Sequence, residues 1–362
     1  MPHGAYLHIP FCLSKCSYCD FFSVIGEEES VPAYTESICK EIAMYADREL
    51  VVDTIFFGGG TPSYIPAAEL GRMLETLVDC FAIANDTEVT CETNPETVDP
   101  AKLDELRSIG INRLSLGVQS FHDHELQQIG RAHDAARAVR CFREAREAGF
   151  TNVSMDLISA LPEMSLQSWK DSLERLVELE PDHLSAYTLE YHPGTKFERE
   201  RTLGLLNPSQ EFLEREMYLE TISFLEGHGH GHYEISNFAR PGFECRHNLK
   251  YWRHEPYLAF GASAHGFDGR RRYWNHRHLK RYLEDIGRGL IPVVESEELN
   301  ESQIRLEELM LGLRMREGAV WDGDLPSEVP AELCGREGGR VSLTANGFVL
   351  YESVCAAFAR KL

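Results

Sequence analysis

The feature that most constrains the fold is a sixfold alternation of strand and helix patterns in the first part of the chain. Apolar or alternating runs predict strands at residues 5–9, 53–57, 87–92, 112–118, 152–158 and 183–189. Helical patterns follow them at about 32–46, 66–81, 100–108, 134–148, 168–179 and 209–227. Such alternation predicts an α/β fold, because parallel strands need crossover connections and helices supply them. Since the crossovers share one hand, the sheet is either a partial barrel or an open doubly wound sheet.

Residues suited to catalysis or ligand binding follow these strands at their carboxyl ends. In chain order they are Cys12–Cys19, Gly58–Thr61, Glu92, Gln119, Asp156 in the last part of the fifth strand, and Glu190. Parallel sheets and barrels place their sites at that edge. The sequence therefore predicts one functional site at the mouth of the sheet.

Charge and composition limit the classes of partner. The chain has 362 residues and a formal net charge of −22, which disfavours binding to nucleic acid or to an anionic membrane. Residues 270–281, RRRYWNHRHLKR, are the one basic run, and we interpret them as a solvated charged segment. No apolar run approaches the roughly 20 residues of a membrane span. Peripheral contact with a membrane stays open.

The chain start has no basic region followed by an apolar core, so we expect no signal peptide and a cytoplasmic location. Ten cysteines in a reducing compartment are more often metal ligands or free thiols than disulfides. The clustered cysteines are therefore expected to bind metal.

Three cysteines, Cys12, Cys16 and Cys19, lie in one polar loop with the spacing C-x3-C-x2-C. One loop of this kind can give one thiolate to each of three irons in a [4Fe–4S] cluster and leave the fourth iron open. Zinc held by three thiolates and a distant histidine is the alternative. The spacing favours the cluster.

A glycine-rich turn, GGGTPS at residues 58–63, follows the second predicted strand. Glycines let backbone N–H groups approach a ligand that a side chain would block. A tight connection between strand and helix is the alternative. The position directly after the second strand, with the cysteines after the first, favours a ligand.

The cysteine motif, with Tyr18 just before its last cysteine, resembles that of radical S-adenosylmethionine (SAM) proteins. In that superfamily the open iron of a [4Fe–4S] cluster chelates SAM, and one electron cleaves the sulfonium to a 5'-deoxyadenosyl radical. Further stretches follow the order seen in oxygen-independent coproporphyrinogen III oxidases and the related HemW haem chaperones: HIPFC, FFGGGTPS, CETNPE, RLSLGVQSF, IGRAH, MDLISALP, YEISNFA and CRHNLKYW. The resemblance implies a partial (β/α)6 TIM-type barrel with a small α+β, helical or winged-helix-like C-terminal domain.

The resemblance also implies a set of cofactor contacts. The cluster is bound by Cys12, Cys16 and Cys19, and the cofactor is flanked by Tyr6 and Tyr18. The methionine part of SAM is contacted by Gly59, Gly60 and Thr61, and its carboxylate is bound by Arg131. Glu92 bonds a polar group of SAM, and Gln119 and Asp156 bond the ribose hydroxyls. A guanidinium suits a carboxylate because it donates two parallel hydrogen bonds. The alternatives are a surface ion pair for Arg131 and helix N-caps for Glu92 and Asp156.

The segment HNLKYW distinguishes the two subfamilies. The HemW proteins carry H-N-x-x-Y-W, linked there to haem, and this chain has His247, Asn248, Tyr251 and Trp252. A neutral imidazole is a good axial ligand of haem iron, and aromatic rings offer flat surface to a macrocycle. Cys245 is a candidate second ligand. The alternative is a core histidine satisfied within an aromatic cluster.

A haem chaperone is accordingly the leading hypothesis, and a radical SAM oxidoreductase acting on a tetrapyrrole is the alternative. The oxidases carry a further cysteine just past the cluster motif, where this chain has Asp20-Phe21-Phe22. They also carry an extension before the cluster, which begins eleven residues from Met1 here. The chaperone hypothesis implies haem-accepting proteins such as respiratory enzymes and an electron donor for the cluster. Homodimerisation stays open.

The domain boundaries are expected at residues 1–235 for the barrel, 236–295 for a connecting region with HNLKYW, and 296–362 for the C-terminal domain. The last part reads as an amphipathic helix, a strand, a turn at Asn346-Gly347 and a closing helix. Three further stretches depart from the family pattern or stand out. Ala160 and Glu163 replace glycines, GASAHG (261–266) replaces a glycine-richer loop, and His228, His230 and His232 alternate on what we interpret as an exposed strand edge.

Overall fold

The protein is described by a computed structural model covering residues 1–362. The strands are β1 (His3–Ile9), β2 (Asp47–Gly59), β3 (Phe81–Thr93), β4 (Arg113–Gln119), β5 (Val153–Ser159), β6 (His183–Thr188), β7 (Gly231–Glu234), β8 (Asn237–Ala239), β9 (Tyr257–Phe260), β10 (His265–Phe267), β11 (Arg271–Asn275), β12 (Val293–Glu298), β13 (Ala319–Val320), β14 (Cys334–Glu337) and β15 (Arg340–Leu343).

The helices are α1 (Val31–Met44), α2 (Ala67–Cys80), α3 (Pro100–Ser108), α4 (Asp123–Ile129), α5 (Ala135–Glu147), α6 (Leu166–Val177), α7 (Lys196–Thr202), α8 (Glu211–Gly227), α9 (Arg246–Trp252), α10 (Leu279–Gly287), α11 (Glu301–Arg314), α12 (Ala345–Val349) and α13 (Tyr351–Ala359). None of them combines the length and the apolar character that crossing a bilayer requires.

The predicted α/β fold is confirmed. Strands β1 to β6 lie side by side in chain order and every neighbouring pair is parallel. The full order of the sheet is β12-β11-β10-β9-β1-β2-β3-β4-β5-β6-β8-β7. Because β6 pairs with β8 rather than with β1, the six parallel strands do not close into a ring.

Six further strands, β7 to β12, extend this sheet at both ends, and the sequence patterns did not reveal them. They contain three to six residues each, too few for an alternation to stand out. Strand β9 joins β1 in parallel, and β10, β11 and β12 follow antiparallel. The parallel face next to the cysteine loop is therefore wider than six strands.

The two faces of β1 have different roles. Ala5, Leu7 and Ile9 are fully buried in the main apolar core between strands and helices. The alternate residues Tyr6 and His8 point to the opposite, concave face. The concave face carries the polar and aromatic side chains described below.

The C-terminal part has its own small core, formed by twelve buried residues of α11, β13, β15, α12, α13 and the segment 329–333. The expected turn at Asn346-Gly347 is wrong, since both residues lie within α12. Thr344 caps this helix by accepting a hydrogen bond from Gly347 N at 3.2 Å. The cap decides the conformation because it satisfies a free N–H at the first turn.

Candidate functional site

The cysteine loop leaves β1 and is tied at several points to the mouth of the sheet. Cys12 N donates to Val24 O at 3.0 Å, and Ser17 N donates to Ile129 O at 3.0 Å. All three cysteines are partly exposed free thiols. The loop is thus held by backbone bonds while its thiols remain accessible.

The thiols contact groups from two other segments, the turn after β2 and the loop after α4. Cys12 Sγ lies 3.4 Å from Thr61 Oγ1, and Arg131 Nη1 donates toward Cys16 Sγ at 3.5 Å. Burial raises the pKa of Cys12 and raises that of Cys19 to about 11. A bound metal keeps such thiols deprotonated. No three Cys, His, Asp or Glu side chains surround a position for a single metal ion. An iron–sulfur cluster does not require such a set, because each thiolate binds a different iron.

The glycine turn has a structural reason of its own. Gly59 has φ +110°, and a Cβ there would lie 2.5 Å from His8 Cε1. A Cβ at Gly60 would lie 2.7 Å from the carbonyl carbon of Pro10. Gly60 N in turn donates to Ile9 O at 2.8 Å. Both glycines are therefore required where the end of β2 packs against the start of the cysteine loop.

Two other glycines let side chains of the concave face pack directly against the backbone. A Cβ at Gly58 would lie 2.9 Å from a ring carbon of Phe56 and 3.0 Å from one of Tyr6. A Cβ at Gly117 would lie 2.8 Å from Asn94 Oδ1. The sequence analysis did not identify Gly117 as part of the site, although it stands two residues before Gln119.

Arg131 joins the cysteine loop to β3 and β4. Its Nη2 donates to Asn94 Oδ1 at 2.6 Å and to Gly117 O at 2.8 Å. Asn94 Nδ2 donates onward to Thr61 Oγ1 at 3.0 Å. The Arg131 side chain is 5% exposed, and its Nε is buried without a partner. The surface ion pair considered for Arg131 is therefore wrong.

Asn94 is the residue of this network that sequence reasoning missed. It follows the end of β3 within CETNPE, two residues after Glu92. Its signal was its place at a strand end, the same criterion that identified Glu92. An amide can donate and accept at once, so Asn94 connects a hydroxyl to a guanidinium.

Two carboxylates face the same interior. Glu92 Oε2 accepts from Gly59 N at 3.0 Å, and burial, with the charge of Asp156, raises its pKa to about 7. Asp156 accepts from Ser115 Oγ at 2.9 Å and from Ser154 Oγ at 3.1 Å, and burial raises its pKa. Neither residue caps a helix, so that alternative is wrong for both.

Gln119, Tyr6 and Tyr18 complete the mouth. Gln119 ends β4 with φ +70°, a conformation that turns the chain at the strand end. Tyr6 donates to, or accepts from, His8 Nδ1 at 3.1 Å. Burial raises the pKa of Tyr6 and of Tyr18, and the Cys16 thiol adds to the shift at Tyr18. Both phenols are therefore neutral at physiological pH.

The HNLKYW segment forms α9, on the concave side below Tyr6. Glu88 of β3 accepts from the N–H groups of Arg246 and His247, each at 3.1 Å, at the start of this helix. A carboxylate is favourable there because it satisfies free N–H groups at the positive end of the helix. Glu88 is another site residue that the sequence did not identify.

His247 is 1% exposed, and both of its ring nitrogens are occupied. Nδ1 lies 2.9 Å from Thr54 Oγ1, and Nε2 lies 2.8 Å from the hydroxyl of Tyr251. The ring stacks on Phe56 at 5.2 Å and on Tyr6 at 6.4 Å. Burial lowers its pKa to about 3, so the imidazole is neutral. In this conformation His247 is a satisfied histidine within an aromatic cluster.

The neighbours of His247 differ in accessibility. Cys245 is fully buried, its thiol lies 3.8 Å from Glu88 Oε1, and burial raises its pKa to about 12. Asn248 and Trp252 are half-buried. The guanidinium of Arg314 lies 4.1 Å from the Trp252 ring centroid, a cation–π contact. Cys245 therefore has no free thiolate for a second ligand in this structure.

The histidine run is not an exposed edge, contrary to expectation. His230 and His232 are 1% and 4% exposed, and only His228, at the C-terminal end of α8, is exposed. His230 Nε2 contacts Pro181 O, and His232 stacks on Phe238 at 4.7 Å. Arg316 N donates to Tyr233 O at 3.0 Å and Ile235 N donates to Arg314 O at 3.2 Å, so residues at the end of α11 pair with this edge.

The loops that depart from the family pattern keep a glycine-like backbone. Ala160 has φ +59°, Glu163 has φ +66° and Ser263 has φ +66°. Side chains are strained in that region by about 1 kcal/mol. The three residues therefore adopt positive φ values that glycine would adopt without strain.

Comparison with known proteins identifies the family to which this chain belongs. The radical SAM superfamily profile matches residues 6–176. The chain is 36% identical to the "Heme chaperone HemW" of Bacillus subtilis, covering 99% of this chain and all of that protein. It is 34% identical to the protein of the same name from Mycobacterium tuberculosis, covering 98% and 94%. The solved coproporphyrinogen III oxidase HemN of Escherichia coli, a radical SAM enzyme, superimposes with a TM-score of 0.83 at 25% identity, covering all of this chain and 91% of that one.

Proposed function

Because this chain belongs to the radical SAM superfamily, within the family of the HemW haem chaperones, we propose that it binds haem and delivers it to haemoproteins. A [4Fe–4S] cluster and SAM are its further cofactors. The observation that carries the proposal is the seating of HNLKYW directly below the cofactor mouth. The Tyr6 ring contacts the His247 ring on one side and the His8 ring on the other.

The mouth fits the cluster and SAM. Cys12, Cys16 and Cys19 would hold three irons, and the bound cluster supplies an open iron and an electron. Around the thiols, the Arg131 guanidinium has a buried Nε without a partner, and Gly58 lets the rings of Phe56 and Tyr6 pack against the end of β2. A guanidinium cation is what an amino acid carboxylate requires.

We assign the remaining contacts from this arrangement. Arg131 faces the methionine carboxylate, and Thr61 with the backbone of Gly59 and Gly60 lines the methionine part. Glu92 and Asp156 accept hydrogen bonds from polar groups of SAM, with Gln119 beside the ribose. Tyr6 and Tyr18, both neutral, exclude water from the cluster side.

The haem site includes the α9 residues His247, Asn248, Tyr251 and Trp252. Coordination of iron by His247 requires Tyr251 to release Nε2, because that nitrogen is hydrogen-bonded in the structure. Trp252 and Tyr251 supply aromatic surface for the macrocycle. A shift of α9, whose N-terminal N–H groups bond to Glu88, is the movement that would expose these groups.

Conversion of coproporphyrinogen III is the second candidate function, favoured by the structural match to HemN. The sequence at 20–22, Asp-Phe-Phe, lacks the further cysteine expected for that activity. The proposal includes two kinds of partner: haem-accepting proteins such as respiratory enzymes, and an electron donor for the cluster. The proposed location is the cytoplasm.

The test is anaerobic reconstitution with iron and sulfide, followed by haem titration and a coproporphyrinogen III assay. We expect cluster absorbance, a Soret band on addition of haem, and transfer of haem to an apo-haemoprotein such as apomyoglobin. Absence of haem binding would refute the proposal. A vinyl product from coproporphyrinogen III would instead establish the oxidase.

A further inference from the structure

The structure carries a second histidine on the concave face, at its exposed end. Phe267 of β10 pairs with Tyr257 of β9, which pairs with Gly4 of β1. Residues two positions further along each strand share the same face, since side chains alternate. His265, Ala259 and Tyr6 therefore lie on one face of the sheet. Because Ala259 is small, little side chain separates His265 from Tyr6.

His265 is solvent-exposed and its ring nitrogens make no hydrogen bond. In this it differs from His247, where both nitrogens are occupied, and from His8, which contacts Tyr6 and Phe22. Partial burial and the nearby Arg277 lower the pKa of His265, which keeps the imidazole neutral. A neutral, unpartnered imidazole is the form that ligates a metal.

Trp274 holds the His265 ring in place. The two residues are directly paired across β10 and β11, and their rings are 5.7 Å apart and nearly parallel, at 19°. An indole stacked on the imidazole restrains its rotation, so Trp274 would fix the orientation of His265 toward a bound haem.

A cation lies next to this pair. Arg277 donates to the carbonyl of Asp20, directly after the cluster cysteines, and forms no ion pair with a carboxylate. The neighbouring Arg270, Arg271 and Arg272 are each paired with acidic residues. An exposed guanidinium without a carboxylate partner, on a chain of net charge −22, can bind an anionic ligand. Phe21, 63% exposed, adds apolar surface beside Asp20.

From these contacts we infer that His265 is an axial haem ligand at the mouth of the sheet, with Trp274 positioning its ring and Arg277 binding a haem propionate. The inference rests on the proposed haem function and adds three residues that bind haem at the mouth of the sheet. It does not exclude His247, since haem iron takes two axial ligands. The interpretation of residues 270–281 as only a solvated segment would then be incomplete.

The test titrates haemin into anaerobically reconstituted full-length protein and follows the Soret band. His265→Ala is expected to raise the dissociation constant at least about tenfold and to shift the band, as loss of an iron ligand does. Trp274→Leu and Arg277→Gln are expected to weaken binding less. Iron-free protoporphyrin IX should bind His265→Ala as it binds wild type, because it has no iron to coordinate.

The control is His228→Ala, since His228 is also exposed and lies against an aromatic ring, Phe224, at 4.2 Å, although its Nδ1 contacts Phe224 O. It should titrate as wild type does, and SAM binding should be unchanged in His265→Ala. A wild-type titration curve for His265→Ala would overturn the inference and leave the haem function standing. Wild-type protein that fails to bind haemin would overturn both.

Discussion

The Nε2 atom of His247 lies 2.8 Å from the hydroxyl oxygen of Tyr251, one helical turn away in α9. Both belong to the segment that the resemblance assigns to haem. The bond therefore occupies the nitrogen that would reach iron. Haem coordination by His247 and the hydrogen bond to Tyr251 therefore compete for the same ring nitrogen, Nε2.

Tyr251→Phe tests this competition. Removal of the hydroxyl frees Nε2, so we expect haem affinity to rise by roughly the worth of one hydrogen bond, about fivefold for about 1 kcal/mol. The measurement is a Soret titration of the reconstituted protein. The free energy of unfolding should fall by about 1 kcal/mol, since a buried acceptor loses its donor. Unchanged affinity would argue that His247 does not bind iron.

Gly59→Ala should disrupt the cysteine loop. Its φ of +110° and the His8 ring at 2.5 Å leave no room for a Cβ, so we expect a loss of about 2–4 kcal/mol in unfolding free energy. Iron content after reconstitution should fall with it. Gly194→Ala is the control, because it also has positive φ, +88°, but no atom within 4 Å of the added carbon. Equal losses in both variants would contradict the packing argument.

Arg131→Lys should weaken SAM binding while leaving the cluster in place. A lysine keeps the charge but cannot contact Asn94, Gly117 and Cys16 together, so we expect a loss of about 1.5–3 kcal/mol in binding free energy. Equilibrium binding of SAM to the reconstituted protein measures it. The control is Arg146→Lys. Arg146 pairs with Asp182 and with no residue of the cysteine loop, so this variant should bind SAM normally. Normal SAM binding by Arg131→Lys would remove Arg131 from the carboxylate site.

Glu92 gives a pH dependence of stability. Burial holds its pKa at about 7 in the folded protein, above the ordinary 4.5, so the folded state binds the extra proton. Its contribution to stability is therefore fully present below about pH 4.5 and is lost as pH rises through about 7. Glu92→Gln removes this term. Urea unfolding should show the variant gaining stability relative to wild type between about pH 4.5 and about pH 7, the unfolded and folded pKa values.

Burial also raises the pKa of a second carboxyl group, Glu41, to about 7. Glu41 is present both in the wild type and in the Glu92→Gln variant. Its effect cancels in the difference between variant and wild type. A difference that stays constant across the pH range would show that Glu92 titrates near its ordinary value in the folded protein.

Sequence alone determined the parallel α/β fold and the order of groups at its mouth. Alternation of apolar runs has a definite period in each element, and strand ends share one edge, so Cys12, Thr61, Glu92 and Asp156 could be assigned to one region before any contact was known. Only tertiary structure decided the state of His247 and His265. Sequence spacing places two histidines in the chain, but hydrogen bonding from Thr54 and Tyr251, and its absence at His265, depends on which strands and helices pack against them.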